Sequence, residues 1–368
     1  MEPIAKDGCK VAIFKAPEGE PRKIMKDYML RMSAIEWTPK EDFTITWKGE
    51  AKFKVNLEYK KGKIYHGVPY SNTKANLDEF EQQLENGVFD PVSPYYEEIV
   101  GNHCSSSIVR AVQILYDPGD GYPFKPNLYH GRLVEFPVPM RKKTNHVFKE
   151  DHFDSYDLWD WNAKNDIMDA YATLDEGDFM FYATNRSAGG HIRMVGKKSL
   201  VIRDPYTGLI DPENSYAYSI EQTNAWDKER PADNSTWFLY HKYSFAKLYE
   251  KHFMPVTLPI YYTGEKLKDA YVFYDGDNSS KEKIFKGIEG RVKGTFPLVY
   301  VRACVKDENG HTVRQSSVRN MFKVYEVDLS ELNKDLGLDT LEKGKYHFTL
   351  RASVARGGCD FESFDFEV

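Results

Sequence analysis

The spacing of apolar positions changes several times along the chain, and each change predicts an element. Residues 22–36 place Ile24, Tyr28, Met29, Met32 and Ile35 at helical intervals, with Trp37 closing the segment before Pro39. Alternation replaces that period in FTITW (43–47) and FKVNLEY (53–59), ahead of a Lys-Gly-Lys turn, which predicts two short strands or the arms of a hairpin. A polar stretch over 77–86 predicts a helix that stops at Gly87. In 103–115, Ile108, Ala111, Val112 and Leu115 fall at i, i+3, i+4 and i+7, with Asn102 and three serines available to cap. A buried helix is expected there, with Cys104 in its first turn. After the short helical pattern NDIMDAYATL, the segments FMFYAT, HIRMV, SLVIRD and SYAYSIEQT are separated by turn residues and predict an antiparallel meander over 178–223.

Past Pro255 only strand patterns recur (AYVFYD, IFKGIEGRVKG, LVYVRACVKD, HTVRQSSV, KVYEVD, YHFTLRASVA, FESFDFEV), as expected of an immunoglobulin-like sandwich. The fold class is therefore expected to be α+β, with a first domain over 1–258 and an all-β domain over 259–368. Residues 117–160 are rich in Pro, Gly, Asp, His and aromatics and lack a period, so they are expected to form a long excursion covering one face.

Composition narrows the functional classes. Hydrophobic residues at 41% and charged residues at 29% describe a globular chain, and a formal charge of −6 without single-sign runs gives no reason to expect nucleic acid or an anionic membrane. No run approaches the ~20 apolar residues of a membrane span. The first residues lack a secretory signal, which fits a cytoplasmic protein or an extracellular or cell-envelope protein whose leader has been removed. Four scattered cysteines form no disulfide framework and no CxxC pair. No cofactor or metal site is expected: His146, His152 and Asp154 are close in sequence but lack a period to converge them, and Gly196–Ser199 lacks the upstream glycine of a phosphate loop. The aromatics of the excursion, among them Trp159, are candidates for a cleft wall or a substrate platform.

One cysteine has a setting that suits chemistry. At the first turn of a helix the positive helix end and unpaired N–H groups stabilise a thiolate, and Cys104 alone is so placed, with small neighbours Ser105, Ser106 and Ser107. His191 opens a strand after Ala188-Gly189-Gly190, which leaves one face of its ring open to act as base. A third polar residue to orient the imidazole is expected on the next strand, where a one-residue uncertainty in register keeps both Glu221 and Gln222 as candidates.

Taken in order, Gly67-x-Pro69-Tyr70, Asn102-His103-Cys104-Ser105 opening a helix, Gly177-Asp178-Phe179-x-Phe181-Tyr182, and His191-Ile192 resemble the NlpC family of bacterial cell-wall cysteine peptidases over roughly 20–255. The resemblance implies a papain-like fold, no cofactor, and hydrolysis of amide bonds in peptidoglycan stem peptides, with peptidoglycan fragments or the cell wall as partner. It implies Cys104 as nucleophile, His191 as base, Glu221 or Gln222 as orienting residue, and Tyr70 beside the substrate; His103, Ser105 and Trp159 are further candidates of this sequence for lining it. Members commonly carry Asp-Cys-Ser-Gly, where the aspartate holds a free amino end; here His103 precedes the cysteine. A papain-like amidase or acyltransferase acting on another amide is thus the second expectation, and a non-catalytic glycan- or protein-binding module the third.

Overall fold

The computed structural model describes residues 8–48, 55–117, 155–183, 190–258, 260–319 and 323–368. Most of the 117–160 excursion, with His146, His152, Phe153 and Asp154, lies outside the described residues, as do Ala188 and Gly189 before His191.

The chain is a mixed α+β protein in which sheets predominate. Its centre is a five-stranded antiparallel sheet in the order Trp237–Ser244, Tyr216–Gln222, Gly190–Leu200, Phe179–Ala183, Met254–Val256. Side chains alternate across a strand, and both faces are covered: Phe179 and Phe181 enter one core while Met180 between them enters another. On the first face lies the helix Cys104–Leu115, which contributes Ile108, Val109, Ala111, Val112 and Leu115, with Met25, Met29 and Met32 of the helix Pro21–Ala34 beside it. Each fully buried Ile, Val or Leu there contributes roughly 1.5–3 kcal/mol relative to exposure. On the second face Lys164–Ala172 and Phe245–Glu250 supply Ile167, Met168, Tyr171, Phe245 and Leu248.

The first core also holds a cluster of aromatic rings. Trp37 packs with Tyr59, Phe89 and Tyr65 at centroid distances of 5.2, 5.3 and 5.4 Å. The strands Phe43–Thr46 and Asn56–Tyr59 pair as an antiparallel ladder beneath it.

The C-terminal part consists of two four-stranded antiparallel sheets around one core, to which Val272, Tyr274 and Val292 contribute from one sheet and Val301, Ala303, Phe348 and Leu350 from the other. Three details depart from the sequence-based expectation. Lys10–Phe14, assigned to a first domain of 1–258, is the edge strand of this sandwich, pairing antiparallel with Ala270–Tyr274. The segment around IFKG is not a strand but the end of the helix Lys281–Lys286, of which only Ile284 is buried, and Gly287 at φ 127° ends it. The helix expected over 77–86 stops at Glu81 and faces the sandwich.

That short helix forms a polar seam. Asn76 caps it by accepting from the Glu79 N–H at 2.8 Å, while its own amide donates to the Val354 carbonyl at 2.9 Å. The Asp78 carboxylate accepts from Arg351 Nη2 and the Tyr300 hydroxyl, both at 2.6 Å. Arg356 of the sandwich donates to the carbonyls of Ile114 (2.7 Å) and Leu115 (3.0 Å), two unpaired acceptors at the negative end of the cysteine-bearing helix. The sandwich thus anchors the helix whose opposite end carries Cys104. Among the described residues no helix is long and apolar enough to cross a membrane.

Candidate active site

His103 is the N-cap of the cysteine helix: its backbone N–H donates to Ser106 Oγ at 2.8 Å, and its carbonyl accepts the first helical bond from Ser107 at 3.0 Å. Cys104 therefore sits where the helix leaves N–H groups unpaired. Its approach is set by the loop 67–73, which runs beside the residues entering the helix: Asn102 donates to the Pro69 carbonyl (3.0 Å) and accepts from the Ser71 N–H (2.8 Å). This pairing brings Tyr70, 5% exposed and stacked on Tyr96 at 5.6 Å, close enough to feel the charge of Cys104. Gly67 at φ 86° lets the loop pass Trp237, whose Cδ1 would stand 2.3 Å from an added Cβ.

His191 comes from the start of its strand and lies close enough to Cys104 for each to shift the other's proton affinity. Its Nε2 is engaged by Glu221, which leaves Nδ1 as the nitrogen available to the sulfur. Glu221 is 1% exposed and saturated with donors: Oε2 takes His191 Nε2 and Arg193 Nε (2.8 Å), and Oε1 takes the hydroxyls of Ser219 (2.8 Å) and Tyr243 (2.9 Å). The Arg193 guanidinium carbon lies 4.1 Å from the ring centres of both Tyr243 and Phe253.

The protonation states follow from this geometry. Burial pushes the Cys104 thiol up, but the positive charge of His191 and hydrogen bonds from His103 and His191 outweigh it and bring it down to about 5. Burial disfavours the His191 imidazolium, yet the Cys104 thiolate and the Glu221 carboxylate raise it to about 9. Burial favours a neutral Glu221, but Arg193 and His191 hold it well below the usual carboxylate range. Between the first two values the site is a thiolate–imidazolium pair backed by a carboxylate. Tyr70, raised by burial and by the Cys104 charge, keeps its proton.

Of the two residues proposed to orient the imidazole, the structure places Glu221 on it and Gln222 elsewhere. Gln222 lies on the opposite face of the strand, fully buried, and its Nε2 donates to the Val68 carbonyl at 2.7 Å, alongside Trp237 Nε1 at 3.0 Å. It braces the Tyr70 loop from behind. Ser105 Oγ meets His103 Nδ1 at 3.1 Å, so these two residues face one another beside the thiol. Trp159, expected to meet substrate, is instead packed on Tyr249 and His252 and donates its indole N–H to the Tyr249 carbonyl at 3.0 Å, which anchors the helix Ser155–Trp161. Cys304 is buried in the sandwich strand Leu298–Asp307 and Cys359 lies on the strand Gly357–Glu367 of the same sheet, neither of them at a helix start.

No family model, curated protein or solved structure matches this chain. The site must therefore be read from its own geometry. Sequence reasoning overlooked three members of it: Arg193, Ser219 and Tyr243. The first two carried a usable signal, because Arg193 lies two residues beyond His191 and Ser219 two before Glu221, each on the same strand face as its neighbour. Tyr243 comes from an adjacent strand and had none. Among the described residues no group of three or more His, Cys, Asp or Glu side chains is placed to hold a metal ion.

Proposed function

We propose that the protein is a cysteine hydrolase that cleaves amide bonds, with Cys104 as nucleophile, His191 as acid and base, and Glu221 as the residue that orients and charges His191. The observation that carries this reading is that Cys104, at a helix N-terminus, is electrostatically coupled to His191, whose Nε2 is in turn bonded to the buried Glu221 carboxylate. The thiolate attacks the amide carbonyl carbon, and the developing oxyanion is met by the Cys104 N–H and the Tyr70 hydroxyl. As the C–N bond breaks, His191 gives its Nδ1 proton to the departing amine, leaving an acyl thioester and a neutral imidazole. That imidazole then takes a proton from water, whose hydroxide attacks the thioester; the acid leaves and the thiolate–imidazolium pair returns. Acid–base transfer of this kind contributes typically about 10²–10⁴-fold.

A helix bearing the cysteine against an antiparallel sheet bearing the histidine supports reading the first part as papain-like and NlpC-type, and the two-sheet unit as immunoglobulin-like. On that reading the substrate is a peptidoglycan stem peptide. His103, in the position where such enzymes commonly carry an acidic residue, favours an amide without a free amino end nearby, since an imidazole there offers no carboxylate to an ammonium group. The test is product analysis on peptidoglycan fragments and on stem peptides with free and blocked N-termini. The native protein is expected to turn over blocked peptides at least as well as free ones, and Cys104→Ala to abolish turnover while unfolding at an unchanged temperature. Retained turnover by Cys104→Ala refutes the assignment.

A further inference from the structure

Resting on the Cys104–His191–Glu221 reading, we propose that Arg193 is a positioning residue of the same site, the cationic end of a ribbon of alternating charge that sets the pH range in which Cys104 is a thiolate. Along the ribbon the signs run Cys104 negative, His191 positive, Glu221 negative, Arg193 positive. Arg193 and His191 share the same oxygen of Glu221. Side chains two apart on one strand reach the same carboxylate because the strand Gly190–Leu200 presents both on one face. The guanidinium is held in place by Tyr243 on one side and Phe253 on the other, and only 14% of its side chain is exposed. It is therefore poorly screened by water, and its charge acts on its neighbours at close range.

The sign of its influence is fixed by electrostatics. With Arg193 the four groups sum to zero, whereas without it they would leave one uncompensated negative charge in a mostly buried site, which is costly. Loss of a nearby cation makes every group it faces bind protons more tightly, so the Cys104, His191 and Glu221 values all move upward. The groups involved are few. Cys104 faces His103, His191, Tyr70 and Tyr96; Glu221 faces His191, Arg193, Ser219 and Tyr243; and Tyr243 in turn feels Glu229 and Lys247. None of the others is a permanent cation in contact with Glu221. A purely structural arginine, filling the gap between two rings, would be replaced by an apolar side chain without any change in titration.

The test needs no substrate. The rate of alkylation of Cys104 by iodoacetamide is followed against pH by peptide mass spectrometry, with Cys304 and Cys359 as internal references. The native chain is expected to show a lower step near 5, where the ion pair forms, and an upper step near 9, where the imidazolium is lost. In Arg193→Met, which keeps the apolar stem, both steps are expected to rise, the upper by about one pH unit and the lower, farther from the guanidinium, by less. Arg193→Gln, which keeps a donor to Glu221, shows the same rise and serves where the Met variant does not fold. Arg193→Lys is expected to return both steps to within a few tenths of the native values. Unmoved steps in a folded Met or Gln variant, or a Lys variant displaced as far as Met, overturn the inference. A native Cys104 that titrates like an ordinary thiol, at about 8.5, refutes the underlying catalytic reading instead.

Discussion

Replacing Glu221 with Gln keeps the shape of the side chain and removes its charge, and the surroundings allow the swap to be isolated. The amide oxygen can still accept from Arg193 and His191, and the amide nitrogen can donate to the hydroxyls of Ser219 and Tyr243, which accept as well as donate. What is lost is a full negative charge in contact with the imidazole. At an effective dielectric of 20 and ~4 Å such a charge is worth about 4 kcal/mol. Arg193, bonded to the same oxygen, cancels more than half of that, leaving about 1–2 kcal/mol, or roughly one pK unit. The loss of a negative charge lowers the neighbouring values, so the imidazolium that persists to about 9 in the native protein is expected to persist only to about 8. At pH 8.5 the share of molecules carrying the ion pair would fall from about three quarters to about one quarter. The lower step moves less, because Glu221 touches His191 and not Cys104. The two-step alkylation profile of Cys104 reads both, and the ring signals of selectively labelled His191 read the upper one directly. An upper step that stays in place, or rises, would show that Glu221 is a structural acceptor and not the source of the imidazolium's stability. The opposite displacements expected of Glu221→Gln and of Arg193→Met make each a control for the other.

Two further substitutions probe the scaffold. Asp78→Ala removes the carboxylate shared by Arg351 and Tyr300, whose partner side chains are 13–14% exposed for the ion pair, and should cost about 2–3 kcal/mol in a urea titration; Arg351 keeps Asp360 at 2.7 Å, so a loss above ~5 kcal/mol or below ~0.5 kcal/mol would contradict the seam described. Gly67→Ala forces a Cβ to within 2.3 Å of Trp237 at a positive φ, and should cost at least about 2 kcal/mol while displacing the Tyr70 loop; measured unfolding with a native-like midpoint would show the loop to be more yielding than its contacts imply.

The helix carrying Cys104 was legible because its signal is local: apolar spacing over three turns and a capping residue are contained within the segment itself. The same holds for His191 at a strand start and for the meander in outline, although HIRMV and the start of SLVIRD form one continuous strand, Gly190–Leu200. The choice between Glu221 and Gln222 was not legible, for a physical reason. Both faces of the central sheet are buried, so Tyr216–Gln222 has four consecutive buried residues from Ser219 to Gln222 and no polar face to set the register. The neighbouring strand Trp237–Ser244 bulges at Tyr240 opposite Ser219 and Ile220, which shifts the pairing register as well. Likewise, five residues near the N-terminus carry no mark of the strand they will join some 260 positions later; Lys10–Phe14 finds Ala270–Tyr274 because the sandwich leaves that edge open. Periodicity and turn chemistry in the chain are enough to specify the elements and the one activated cysteine. Which carboxylate backs the histidine, which arginine balances it, and which distant strand completes the sandwich depend on contacts between segments far apart in sequence, and those are settled only when the packed faces meet.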